Sequence, residues 1–202
     1  MAGAEEPVAG AMLFEDPGPE FFATVDRKLR SKRVRVLLCG ASLSGSVPQP
    51  DDLNRYVRYE IKRRLERHGA QVVLGEDERL YDAFRKAARV EVSLADFELI
   101  FAAYNVDLVI MFPCSPGSFA ELGMFAFVEK TAGRLIIVID DREDHSGGFV
   151  VRGPVVQAKE NGGRVKCLRY DDISGIWDFV EETVNRERVR KVRNDTLEPR
   201  QP

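Results

Sequence analysis

The stretch Val106–Phe125 reads VDLVIMFPCSPGSFAELGMF. Its first half, Asp107–Phe112, is an almost unbroken apolar run, the pattern of a strand buried on both faces. Pro113 and the Pro116-Gly117 pair end that strand and force a tight turn. From Pro116 to Glu129 the residues read as a helix, with a proline suited to its first turn. Buried strand, tight turn and helix in direct succession form the repeating unit of a parallel α/β sheet.

Glu121 sits in this turn-helix junction and admits two readings. Ser118 can cap the helix, and Glu121 three residues on then completes a capping box. Alternatively Glu121 does chemistry. In doubly wound sheets ligands bind outside the carboxyl ends of the strands. A helix N-terminus there favours a carboxylate. The backbone N–H groups of Gly117 and Ser118 can hold an anion or hydroxyl beside it, and Gly123 leaves room for close packing. A carboxylate so placed can attack an anomeric carbon or stabilise an oxocarbenium-like centre. Glu121 is therefore the best catalytic candidate in the chain.

The same unit repeats outward. Val34–Cys39 is an apolar first strand, and a loop over Gly40–Pro50 follows. Asp51–His68 has helical spacing at Leu53, Tyr56, Val57, Glu60, Ile61 and Leu65, with Asp51 or Asp52 as cap and Gly69 past its end. Gln71–Leu74 is a second strand. Leu80–Arg89 and Ser93–Tyr104 read as helices, Ser93 capping the latter. Arg134–Ile139 is the fourth strand and Arg164–Arg169 the fifth; Phe149–Lys159 is a helix candidate between them. Ile173–Arg190 is a long terminal helix. Strands alternating with helices predict a single doubly wound, mostly parallel five-stranded sheet flanked by helices, Rossmann-like or flavodoxin-like. The expected organisation is a flexible N-terminal arm (1–20), one α/β domain (21–193) and a C-terminal tail (194–202).

Two further loops fall at strand carboxyl ends. Cys39, Gly40, Ala41, Ser42 and Ser44 follow the first strand. Their small residues allow close backbone approach to a phosphate or ribose, or make a plain connection. Neither a Walker loop nor GxGxxG fits the spacing of Gly40 and Gly45. Glu76 and Asp77 follow the second strand and suit either ribose hydroxyls or a helix cap.

Composition narrows the classes. The chain has 202 residues, 44% hydrophobic and 31% charged, enough for one packed α/β domain. A net charge of −3 gives no whole-chain argument for nucleic acid. Two local runs are nonetheless basic, Arg27–Arg35 (RKLRSKRVR) and Arg186–Arg193 (RERVRKVR). Either suits a phosphate backbone, although solvated helix ends are the commoner role. Three cysteines without a CxxC pair and two histidines argue against a metal site, and no cofactor is expected. Unpaired thiols fit a reducing cytoplasm. No apolar run reaches the roughly 18 residues of a membrane span, and the N-terminus lacks a basic signal-peptide region. The expected location is cytoplasmic.

The run Ala102–Phe127, AAYNVDLVIMFPCSPGSFAELGMFAF, resembles the nucleoside 2-deoxyribosyltransferase superfamily. In that superfamily a small-Gly-[ST]-x-x-E-[LM]-G turn presents a nucleophilic glutamate. The resemblance is closer to deoxyribosyltransferase-like effector (toxin) proteins encoded beside retron reverse transcriptases. It rests on VLLCGAS at Val36–Ser42, LGEDE at Leu74–Glu78, a Leu-x-x-x-Glu helix at Leu94–Glu98, SPGSFAELG at Ser115–Gly123 and GGFVVRGPV at Gly147–Val155. These features cover roughly Val34 to Asp172.

The resemblance implies an N-glycosidase acting on a nucleoside or nucleotide, with Glu121 as nucleophile and Ser115, Pro116, Gly117 and Ser118 around it. It implies an antiphage toxin held inactive by the reverse transcriptase and its single-stranded DNA/RNA. It also implies a homo-oligomer whose neighbouring subunit closes the site. One departure stands out: the transferases' further carboxylate, shortly before the nucleophile, is replaced here by Ser115 or a neighbour. Glu98 is the candidate second carboxylate, which favours hydrolysis over base exchange. An NAD-cleaving glycohydrolase and a non-enzymatic nucleotide-sensing module are the rival readings. The phosphoribohydrolase turn PGGxGTxxE fits less well, since this chain has one glycine where that motif has two.

Overall fold

Three central strands read as continuous apolar runs because both of their faces are covered by helices. The computed structural model describes residues 18–142, 148 and 151–197. In chain order the elements are α1 (Pro19–Arg30), β1 (Arg35–Cys39), α2 (Leu53–Arg67), β2 (Gln71–Leu74), α3 (Glu78–Ala88), α4 (Leu94–Tyr104) and β3 (Leu108–Met111). They continue with α5 (Pro116–Phe127), α6 (Glu129–Ala132), β4 (Leu135–Ile139), α7 (Val156–Glu160), β5 (Arg164–Cys167) and α8 (Ile173–Leu197).

All strands are parallel and ordered β2-β1-β3-β4-β5. This is the flavodoxin-like doubly wound order, whose direction of winding reverses between β1 and β3. Successive strand residues face opposite sides. Val36, Leu38, Ile110, Phe112, Ile136 and Val138 pack with α2 and α8. Leu37, Cys39, Val109, Met111, Ile137 and Ile139 pack with α4, α5 and α7. Each fully buried aliphatic side chain contributes roughly 1.5–3 kcal/mol, so these two layers supply most of the folding free energy. Cys39 thus faces α4 and α5, while Gly40 begins the loop beyond it.

The structure moves several expected boundaries. Helix α8 runs past the expected end at Arg190 to Leu197, and along this stretch Lys191 pairs with Asp107 and Asp195 with Lys32. Helix α3 starts at Glu78, capped by Asp77, and ends at Arg89 in a left-handed conformation. The expected helix over 149–159 is a π-helical turn (Val151–Val155) leading into α7, with Pro154 inside the turn. Asp52 stands at the α2 N-cap, but makes no cap bond and pairs its carboxylate with Arg55 instead. Residues 1–17 of the expected arm, residues 198–202 of the tail, and parts of the Gly147–Val155 motif and the loop before it lie outside the described residues. No helix among the described residues is long and apolar enough to cross a membrane.

Candidate functional site

The switch point between β1 and β3 draws on the end of β1, α2, the turn after β2, α4 and α5. After β3, Ser115 is the N-cap of α5, accepting a hydrogen bond from the Ser118 N–H at 3.3 Å. The Ser118 hydroxyl accepts bonds from the Cys114 and Ser115 N–H groups at 3.0 and 2.9 Å. It also donates to the Ser115 carbonyl at 2.9 Å. The capping box therefore joins Ser115 to Ser118, not Ser118 to Glu121. Helix α5 begins one residue after Ser115, at Pro116, which puts Glu121 in its second turn. This removes the capping explanation of Glu121. It also commits Ser118, which is buried, to holding the turn.

Glu121 is half-buried, and its Oε2 is a buried atom without a hydrogen-bond partner among the described residues. Buried polar atoms are ordinarily satisfied, so an exception calls for an explanation. Burial raises the Glu121 pKa above the usual carboxylate value, Glu76 adds to this, and a hydrogen bond from the Cys39 thiol and the charge of Arg58 oppose it. Cys39 is itself buried at the end of β1, and its thiol is pushed well up by burial first and then by Glu121. It supports the Glu121 carboxylate from beneath as a neutral thiol.

Glu98 lies on α4, buried, and its pKa is pushed up to about 7, chiefly by burial, then by Glu121 and Glu76, with Arg58 opposing. A Cβ on Gly75 would stand 2.8 Å from Glu98 Oε1, so the carboxyl lies against the backbone just past β2. The structure thus brings Glu98 and Glu121 to one site, as two carboxyls that burial pushes toward the protonated form, with Arg58 opposing this at both and the Cys39 hydrogen bond opposing it at Glu121. Such a pair is suited to acid and nucleophile roles.

Arg58 was not among the residues singled out from the sequence, and it organises the site. Only 1% of it is exposed. Its guanidinium grips Glu76 through two bonds of 2.8 and 2.7 Å. It also donates to the carbonyls of Leu38 at 2.6 Å and Ala41 at 2.7 Å. A sequence signal existed: Arg58 falls in phase with Ile61 and Leu65, on the buried stripe of α2.

Glu76, expected to meet ribose, is thereby engaged. Burial opposes its charge, yet the Arg58 bonds and the Leu43 N–H hold its pKa below the ordinary range. Asp77 accepts from the Arg79 N–H at 3.1 Å as the cap of α3. The loop after β1 is fixed further by Arg55, which donates to the carbonyls of Ser42 and Ser44 at 2.9 Å and of Ser46 at 3.0 Å. The exposed Ser42 and Ser44 hydroxyls lie 2.9 Å apart on this rigid loop. The Ser42 hydroxyl donates to that of Ser44 and accepts from the Ser44 N–H at 3.2 Å. An added Cβ meets nothing at Gly117 or Gly123, so the ground beside the α5 turn is open rather than close-packed.

Gly40 and Gly45 both take positive φ in this loop, and Gly40 is also hemmed in. Its φ is +140°, and a Cβ there would stand 2.9 Å from the Phe112 carbonyl oxygen and 3.4 Å from Arg58 Cδ. Gly40→Ala is expected to destabilise the chain by about 2 kcal/mol or more, read as a fall in the midpoint of urea unfolding. An unchanged midpoint would show that the loop relaxes without strain.

Fold and site together define a doubly wound α/β protein with two partly desolvated carboxyls at its topological switch point. The chain belongs to the STM3845 retron effector protein family, whose model matches residues 54–201. It is also 30% identical over 123 residues to an Escherichia coli protein named "Retron Ec86 putative ribosyltransferase/DNA-binding protein". That match covers 61% of this chain and 36% of the relative, little more than a third of its length. The protein is accordingly a retron-associated effector.

Proposed function

We propose that this effector is an N-glycosidase that cleaves the base–sugar bond of a nucleoside or nucleotide, and that this activity makes it the toxin of an antiphage retron. The observation that carries the reading is the half-buried Glu121 carboxylate, with one buried oxygen unpartnered among the described residues, beside a Glu98 whose pKa of about 7 keeps it largely protonated in mildly acid conditions and about half protonated at neutrality. The Glu121 carboxylate attacks C1′. The C1′–N bond breaks, its electron pair leaves with the base, and Glu98 gives the base its proton. Water then attacks C1′ and frees Glu121, returning a proton to Glu98. Ser42 and Ser44 hold sugar hydroxyls or a phosphate. The superfamily resemblance and the ribosyltransferase name of the relative support a glycosyl-transfer type of enzyme.

The partners proposed on the same basis are the retron reverse transcriptase and its single-stranded DNA/RNA. Self-association is also proposed, supported by exposed Leu94, Ile100 and Phe127 on the two helices that carry the carboxyls. The test is to incubate the full chain with deoxynucleosides, their monophosphates and NAD, and to follow free bases by chromatography. Free nucleobase is expected. Nicotinamide alone would favour the NAD-cleaving rival, and tight binding without turnover a nucleotide sensor.

Glu98 makes a second expectation. Its folded pKa of about 7 lies above the ordinary carboxylate value. Between roughly pH 4.5 and 7 the folded state then binds more protons than the unfolded state, so this group's contribution to stability is lost as pH rises through about 7. Glu98→Gln removes the ionisation. It should be more stable than the parent at pH 8, on the order of 2 kcal/mol or about 5 °C in Tm, and nearly equal to it at pH 4.5. Parallel melting curves at both pH values would contradict the assignment.

A further inference from the structure

The two basic runs lie more than 150 residues apart in sequence and meet at the amino ends of the strands. The Lys191 ammonium donates to the Arg33 carbonyl at 2.9 Å and pairs with Asp107 at 2.7 Å. Lys32 pairs with Asp195. Between the runs lies a groove of about 490 Å³ lined by Arg33, Arg35, Arg134, Arg190 and Lys191, with Asp107 the one acidic residue in its lining. Its end of the sheet is opposite Glu121, since all strands are parallel.

Solvated basic ends usually carry mobile charges, and these differ. Arg35 donates to the Asn105 carbonyl at 2.9 Å and to Gln71 Oε1 at 3.3 Å. Arg134 donates to the carbonyls of Ala103 at 3.1 Å and Val106 at 2.9 Å. Neutral acceptors hold both guanidinium groups in place without cancelling their charge. Among the described residues no carboxylate lies within ion-pair distance of Arg33, Arg35 or Arg134. Tyr104, 68% exposed, stands on the groove rim with Lys130 over its ring at 4.0 Å. Fixed cations beside an exposed aromatic ring are the pattern that tracks a phosphate backbone while stacking an unpaired base.

We propose that this groove binds single-stranded nucleic acid, with Arg33, Arg35 and Arg134 on phosphates and Tyr104 under a base. The surface stands apart from the catalytic reading, being at the other end of the sheet. The test is fluorescence anisotropy of the full chain with a labelled single-stranded DNA of roughly 20 nucleotides, a length that covers one or more such sites. Three phosphate contacts at the single-strand salt slope lower affinity roughly 80-fold between about 25 and 200 mM salt. Arg33→Glu and Tyr104→Ala change exposed side chains, and circular dichroism checks their folding. Arg33→Glu should weaken binding about fivefold or more and flatten the salt slope by roughly 0.7. Tyr104→Ala should weaken binding about fivefold or more with the slope kept. Absence of binding at about 25 mM salt, or parental affinity in both folded variants, overturns the proposal. So does equal affinity for heparin or anionic vesicles with no effect of Tyr104→Ala, which would mark a general polyanion surface.

Discussion

Glu121→Gln leaves a folded protein that releases base roughly 10³-fold or more slowly than the parent. Gln keeps the shape of the side chain. It removes a charge that burial already disfavours, so the substitution is close to neutral for stability. Among the described residues Oε2 takes part in no hydrogen bond whose loss would unravel α5. The capping box of that helix belongs to Ser115 and Ser118 and is untouched. An amide cannot attack C1′ or balance a developing positive charge there. Base release is measured by chromatography, with the melting temperature as control. A folded Glu121→Gln protein with parental turnover would sink the catalytic assignment, and with it the reading of the site.

Arg58→Met destabilises the chain by about 3 kcal/mol, because it removes the buried partner of a part-buried ion pair and leaves Glu76 and two backbone carbonyls short of donors. Met retains the aliphatic stem beside Gly40. It leaves Glu76 without its two short bonds and the Leu38 and Ala41 carbonyls without a donor. At this chain length such a loss lowers Tm by roughly 10 °C. Adding Glu76→Gln to Arg58→Met should recover part of the loss, since the stranded charge is gone. Arg58 also opposes the upward shifts of Glu98 and Glu121. Any residual activity of the variant should therefore have its pH profile displaced upward. A Tm within about 2 °C of the parent, under 1 kcal/mol at this size, would mean the ion pair is dispensable.

How much was visible beforehand differs by residue. The turn of SPGSFAELG is local chemistry, and its glutamate could be picked out from one stretch of chain. The assignment of the cap slipped by three residues, because Ser115 and Ser118 are chemically equivalent caps. Only the backbone path decides which hydroxyl meets which N–H. Glu98 was visible as a carboxylate on an apolar helix. Its place beside Glu121 was expected only from the family resemblance, since the two reside on different helices separated by β3. Glu76 looked like a ligand for ribose because its partner, Arg58, lies 18 residues earlier. Nothing in the local pattern ties the two together.

By itself the sequence determined the class of sheet, the helix faces and the identity of the catalytic candidate, because hydrophobic period, proline, glycine and capping residues act over a few positions. Only the tertiary structure decided the β2-β1-β3-β4-β5 order, the grip of Arg58 on Glu76, the meeting of Glu98 with Glu121, and the convergence of two distant basic runs on one groove. Each of these depends on contacts between segments far apart in the chain. Their geometry is set by how whole elements pack, and no short window of residues encodes it.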